Sequence, residues 1–180
     1  MSDTEVWAVV LAAGASSRFG SPKQALLLAP VLERVRASSV DGVLVVVGAH
    51  ELETAAQTVR CPEWERGPGA SLRCGLEALP AEVEAAVVVL GDGPGLDPAA
   101  IDRVIAAWRA EPAPVIAATY GGVRLHPVLL ARAAWQEIPD EGAKTLDAVL
   151  VSCDDLSPPG DVDFADEVPD RLKPWSSPDP

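Results

Sequence analysis

The sequence predicts a single α/β domain, a three-layer α/β/α sandwich around a mostly parallel sheet, and three observations predict it. Four short valine-rich apolar runs recur along the chain, at 6–13 (VWAVVLAA), 42–48 (GVLVVVG), 85–91 (AAVVVLG) and 114–120 (PVIAATY). Each is continuously apolar rather than alternating, the pattern of strands covered on both faces. Helix-forming stretches separate them, and that alternation calls for a doubly wound sheet with right-handed crossovers.

Taken in order, the first run predicts a strand that ends in a glycine-bearing loop. Helices follow at 30–38 and, after the second strand, at 51–58. The stretch 71–79 predicts a third helix, opening near Ser71 behind a glycine-rich loop. The helix at 98–110 has the clearest start, because Asp97 is a good N-cap and Pro98 suits the first helical position. Beyond the fourth strand, Gly121 and Gly122 mark a tight turn with a short returning segment. VLLARAAWQEI, after Pro127, reads as an amphipathic helix, and another helix is expected from about Gly142. SCDDLSPPGDVDF reads as loop, and the chain divides into a domain over 1–172 and a C-terminal tail over 173–180.

At 180 residues, 48% of them hydrophobic, the chain can bury a core without a metal or disulfide. No apolar run is long enough to span a bilayer, and the N-terminus lacks a basic, cleavable leader, so no membrane partner and a cytoplasmic location are expected. Cys61, Cys74 and Cys153 form no CxxC pair, and reduced, partly buried thiols are the expectation. The net charge of −13 argues against nucleic acid as a partner. It also means that an anionic substrate needs local cations and a divalent metal.

In doubly wound sheets, ligands bind where loops converge at the carboxyl ends of strands. The loops after the first and third apolar runs are both glycine-rich and open on the same edge. The first, LAAGASSRFGSPKQ, is neither a P-loop nor a dinucleotide fingerprint. Ala12, Ala13 and Gly14 are small enough for a ligand to approach main-chain amides, Arg18 can fork onto phosphate oxygens, and Lys23 supplies a point charge. A glycine turn with two solvated cations would look similar in isolation. The second loop, LGDGPG, presents Asp92 at a strand end, where Mg²⁺ and phosphate can share a carboxylate. GDVDF offers Asp161 and Asp163 as further carboxylates. In RGPGASLRCGLEAL, Arg73 stands early in a helix, where the dipole favours anions, so it would fit best opposite an anion or a base edge. His126 sits in a candidate functional loop, whereas His50 reads as structural; neither forms a triad or metal pattern.

With these pieces assembled, the chain resembles the nucleotidyltransferases of molybdenum cofactor maturation, the MobA-like NTP transferases, and within them the cytidylyltransferases. LAAGASSRFGSPKQALL resembles the family's first motif and LGDGPGL its metal-binding aspartate motif. GASLRCGL resembles the base-side loop, LHPVLL and DEGAK the distal substrate segments, and DVDF the late strand-end motif. The resemblance covers roughly 6–172 and implies a Rossmann-like, nucleotide-diphospho-sugar transferase-like fold. It implies that Leu11, Ala12, Ala13, Gly14 and Gly91 line the nucleoside site, with Arg18 and Lys23 on the triphosphate and Ser71 and Arg73 towards the base. Asp92 and Asp163 would hold Mg²⁺ (or Mn²⁺), and Arg18, Lys23 and Asp92 would be the catalytic set. His126, Pro127 and Lys144 would face the acceptor. Ala13 and Pro22, where guanylyltransferase relatives read glycine and aspartate, tip the nucleotide towards CTP.

The implied reaction is transfer of CMP from CTP to molybdopterin-bound molybdenum cofactor with release of pyrophosphate, the recipient being a molybdoenzyme or its maturation factor. Two departures stand out: the segment after Lys23 is about five residues shorter than is typical of such connections, and Leu125 replaces a glycine before His-Pro. Alternatives keep the fold with GTP or another phosphorylated acceptor, or make the protein a non-catalytic cofactor carrier.

Overall fold

The structure, a computed structural model, describes residues 4–15, 23–160 and 169. Among them are seven strands: β1 (Glu5–Ala12), β2 (Gly42–Val47), β3 (Gln57–Arg60), β4 (Val83–Leu90), β5 (Val115–Tyr120), β6 (Val123–Ala131) and β7 (Val149–Ser152). Three α-helices accompany them: α1 (Lys23–Arg36), α2 (Pro68–Glu77) and α3 (Pro98–Ala110). The strands form one sheet in the order β3-β2-β1-β4-β6-β5-β7, with β6 the antiparallel member.

Alternation along each strand divides the core in two. On β1, Val6, Ala8, Val10 and Ala12 face one layer, with Leu28, Val31, Leu32 and Val35 of α1 and Ile101, Val104 and Ile105 of α3. Val9 and Ala13 face the other, with Leu72 and Leu76 of α2 and with Ala134, Trp135 and Ile138. Both faces of the central strands are therefore apolar, which is why the runs read as continuous. The three-layer α/β/α sandwich expected from the sequence is the fold observed.

Several elements differ from expectation. Helix α1 begins at Lys23 and runs through Pro30 instead of starting there. Its buried positions 27, 28, 31, 32 and 35 follow helical spacing, and burial of that stripe outweighs the amide hydrogen bond that proline lacks. The stretch 51–58 forms no helix; its exposed end becomes β3, a short strand pairing with β2. Helix α2 starts at Pro68, three residues before Ser71, with Gly67 as N-cap. Helix α3 matches the expected range, and the Asp97 carboxylate accepts the Ala99 N–H at 2.9 Å.

The expected helix after Pro127 is the largest correction. Its first part is strand β6, inserted between β4 and β5, and only 132–137 turn helically, as a 3₁₀ segment. A short apolar run such as VLL suits either element, and burial on both sides by two neighbouring strands decides for β. The helix expected from Gly142 is a single 3₁₀ turn over Ala143–Thr145, and β7 follows it, sharing only Ser152 with the stretch read as loop. The turn at Gly121 and Gly122 is present, with φ of 57° and 80°.

The cysteines are also a correction. Cys61 and Cys74 form a disulfide, with Cα atoms 5.7 Å apart, while Cys153 stays a buried free thiol. The pairing follows from topology. The Cys61 N–H donates to Val47 O at the end of β2, and α2 crosses the same sheet face.

Leu129 is fully buried, flanked by Val87 on β4 and Ile116 on β5. Leu129→Ala is expected to destabilise the protein by about 3 kcal/mol in urea unfolding. A loss below about 1 kcal/mol would contradict a two-sided core position for β6.

Candidate functional site

The sheet order places the switch point between β1 and β4. From β1 the chain passes through α1 on one face to β2; from β3 it returns through α2 on the other face to β4, beside β1. Crevices outside the strand ends at such points are the usual ligand sites of open α/β sheets. Here β1 and β4 end in register, Leu11 opposite Leu90, and the Gly91 N–H donates to Leu11 O at 2.9 Å. A side chain at 91 would stand 3.1 Å from Leu11 O and 3.2 Å from the Ala12 methyl, so the two loops leave the sheet in contact.

The β1 loop is held from its other side by β2. The Ala49 N–H donates to Ala13 O at 3.0 Å, and His50 Nε2 donates to Ala15 O at 3.0 Å. A Cβ at Gly48 would lie 2.8 Å from both Ala13 O and the Trp64 side chain. Glycine at 48 therefore lets the segment leading into α2 cross against the β1 loop. Ala12 and Ala13 are buried, whereas Gly14 is exposed. His50, read as structural, has the role of a tether for this loop.

Asp92 is half-buried, immediately beyond the end of β4. Its loop packs against the chain at 158–160: the Gly95 N–H donates to Pro159 O at 2.9 Å, and a Cβ at Gly93 would lie 2.9 Å from Gly160 O. Thus the segment leading to Asp161 and Asp163 arrives beside the Asp92 loop. Those two aspartates lie outside the described residues, as does Arg18, and Lys23 is located by its backbone as the first residue of α1.

Ser71 is buried within α2, 5% exposed. Arg73 has two nitrogens engaged: Nη1 donates to Ile138 O at 2.6 Å, and Nη2 pairs with the Asp140 carboxylate. This pair spans 67 positions in sequence, so residue spacing holds no sign of it. Hydrogen bonding to Arg73, aided by nearby Arg66, holds the Asp140 carboxyl below its ordinary value.

His126 and Pro127 stand early in β6, which runs antiparallel and so starts at the same sheet edge. The β5–β6 register shifts there, from Ala117 opposite Val128 to Thr119 opposite Arg124. Four β6 steps answer two on β5, a bulge of the kind that re-aims side chains beside sites. The His126–Pro127 peptide bond is cis. Arg124, in the same strand, donates to Leu146 O at 2.6 Å and Ala143 O at 2.8 Å. Lys144, exposed, lies between those two carbonyls in sequence, so one guanidinium ties the His-Pro strand to the Lys144 turn. Burial pushes the Arg124 pKa down, against the attraction of Asp147. Arg124 and Asp140, which the sequence reading did not single out, thus shape this side of the crevice.

Comparison with known proteins shows the family and the fold. Residues 8–155 match the MobA-like NTP transferase domain. The chain is 35% identical over 136 residues to the bifunctional protein GlmU of Mycolicibacterium gilvum, covering 64% of this chain and 27% of that protein. It is 35% identical over 135 residues to 2-C-methyl-D-erythritol 4-phosphate cytidylyltransferase of Stenotrophomonas maltophilia, covering 63% of this chain and 56% of that one. The chain therefore spans between about a quarter and just over half the length of these relatives. Among solved structures, Rv0371c from Mycobacterium tuberculosis superposes with a TM-score of 0.77 at 27% identity, covering 92% of this chain and 96% of that one. The same protein has been solved in complex with manganese, with a TM-score of 0.67 at 22% identity over 83% of this chain and 88% of that one.

Near the Asp92 loop, the turn after β7 is anchored by Arg103, whose guanidinium donates twice to Asp155, each at 2.6 Å. Those hydrogen bonds hold the Asp155 carboxyl down at about 2, against an ordinary value of 3.8. A depressed folded-state pKa stabilises above the ordinary value, and the benefit is lost as pH falls through the folded one. The difference in melting midpoint between wild type and Asp155→Asn should therefore hold steady from neutrality down to about pH 5. It should then shrink towards zero near pH 2; a difference unchanged there would contradict the pairing. Fold, loop convergence and sequence match agree: the chain belongs to the MobA-like NTP transferase domain family of nucleotidyltransferases.

Proposed function

We propose that this protein transfers CMP from CTP to the terminal phosphate of molybdopterin-bound molybdenum cofactor, releasing pyrophosphate. The observation that supports it most is the contact between the Leu11–Gly14 and Gly91–Gly93 loops at the β1/β4 switch point. Leu11, Ala12, Ala13, Gly14 and Gly91 would border the nucleoside, with Ser71 and Arg73 on the base side. Arg18 and Lys23 would hold the triphosphate, and His126, Pro127 and Lys144 the acceptor. A molybdoenzyme or its maturation factor would then receive the product.

Asp92, a hard oxygen donor at a strand end, fits Mg²⁺ or Mn²⁺. Among the described residues no three metal-ligating side chains gather. Mg²⁺ keeps several waters and takes one or two protein carboxylates, which here would be Asp92 with Asp163. Mg²⁺, when bound, would neutralise charge on the triphosphate. In the reaction, an ionised acceptor oxygen forms a bond to the α-phosphorus, the bond from that phosphorus to the bridging oxygen breaks, and pyrophosphate departs with the electron pair. The nucleophile is already ionised, so the protein needs no general base. Its residues supply alignment and charge compensation. Positive groups at the site also have to overcome the repulsion of an acidic protein.

A second reading keeps CTP and changes the acceptor to another phosphorylated small molecule. The similarity to a 2-C-methyl-D-erythritol 4-phosphate cytidylyltransferase favours it, as does exposed Leu125 in place of a glycine beside His126.

Titration calorimetry with Mg²⁺ present is expected to show tighter binding of CTP than of GTP; the reverse order would make the protein a guanylyltransferase. Lys23→Ala and Asp92→Ala are each expected to lower pyrophosphate release by about 10²-fold or more while leaving the fold intact. Cofactor binding without pyrophosphate release by the wild type would instead indicate a carrier.

A further inference from the structure

Asp140 lies in the DEGAK segment yet has no part in the roles assigned above. Its carboxylate pairs with Arg73 of α2 and with Arg66, the latter at 3.3 Å. Its backbone O accepts the Gly69 N–H at 2.9 Å. A Cβ at Gly67 would lie 2.7 Å from Asp140 O, and one at Gly69 only 1.7 Å from Pro139 O, so the two backbones touch across positions where any side chain would collide. Arg73 closes the same junction through Ile138 O, while Arg124 holds the far side of the turn at Ala143 and Leu146.

We infer that Asp140 is a positioning residue, joining the first turn of α2, one wall of the nucleotide crevice, to the turn that carries Lys144. The inference rests on the nucleotidyltransferase reading of that crevice. Asp140 and Arg66 side chains are 44% and 55% exposed, and ion pairs so exposed contribute little to stability. The consequence of the pairing is therefore geometric. Arg66 stands just before Gly67, the N-cap, at the positive end of the helix dipole, and Asp140 compensates a cation in that unfavourable place. Without the carboxylate, the two guanidiniums lose their shared partner. The 3₁₀ turn that leads into α2, whose Trp64 packs on Gly48 beside Ala13, loses its outer brace.

The test is calorimetric titration of CTP with Mg²⁺ into wild type, Asp140→Asn and Asp140→Glu, with thermal melts of each. Asp140→Asn should weaken CTP binding about tenfold and lower the melting midpoint by no more than a few degrees. Asp140→Glu should recover affinity to within about threefold, since its carboxylate can still reach one guanidinium. Wild-type affinity in Asp140→Asn, or no recovery in Asp140→Glu, would overturn the role of Asp140 alone. A wild type that binds no CTP would overturn the reading of the crevice as well. Should Asp140→Asn fold poorly, Arg66→Gln, an exposed position that shares the carboxylate, should give a smaller loss in the same direction; unchanged affinity there counts against the inference.

Discussion

The pairing of β1 with β4 is the constraint on which the remaining structure depends. These strands were far apart in the chain, and their parallel register sets Leu11 beside Leu90. Because both end at the same level, two glycine-bearing loops emerge in contact, and the Gly91 amide is satisfied by Leu11. A shift by one residue would turn every side chain to the opposite face and put helix-facing valines against the wrong layer. The apolar pattern that fixes the core therefore also fixes the height at which the loops leave it. The crevice follows from core packing.

An acidic protein uses several arginines to hold backbone, Arg124 near the crevice edge of the sheet and Arg132 at the opposite edge, where β4 begins. Arg124 binds the carbonyls of Ala143 and Leu146, Arg132 those of Pro80, Ala81 and Val83, and Arg73 that of Ile138. The planar, multi-donor guanidinium suits this work, because it can span two or three carbonyls at fixed angles where an ammonium makes a less directed contact. The irregular segments after β6 have few ladder hydrogen bonds of their own, so such side chains satisfy their carbonyls. Arg132 also lies over the Trp135 ring, 4.3 Å from its centroid, and joins the 3₁₀ segment to the end of the sheet.

Glycines complete the design by allowing close approach. Gly75 lets α2 descend on β1 and β2, since a Cβ there would meet Val9 and Val46 at 2.7 Å. Gly93 and Gly95 admit the 158–160 segment against the Asp92 loop in the same way. Beside Asp92, backbone is thus held near backbone, whereas at Gly75 helix backbone lies against valine side chains of the sheet.

Much of this was legible in the sequence. The continuous valine runs, the Asp97–Pro98 helix start and the LGDGPG loop follow from local rules of burial, capping and turn geometry, and the structure has them where those rules put them; of the first glycine loop, the described residues reach Ala15. Local rules failed where two outcomes suit the same residues. VLLA could form helix or strand until β4 and β5 enclosed it, and Pro30 looked like a helix start until the stripe from Leu27 to Val35 was buried through it. The contacts among Asp140, Arg66 and Arg73, and the Cys61–Cys74 bridge, had no local signal, because each depends on how α2 crosses the sheet. By itself the sequence determined the fold class and the glycine-rich loops, since hydrophobic periodicity and backbone freedom act within a few residues. The tertiary structure decided which arginines are committed and which cysteines meet, because charge pairing and sulfur proximity depend on distances in space that only the folded sheet sets.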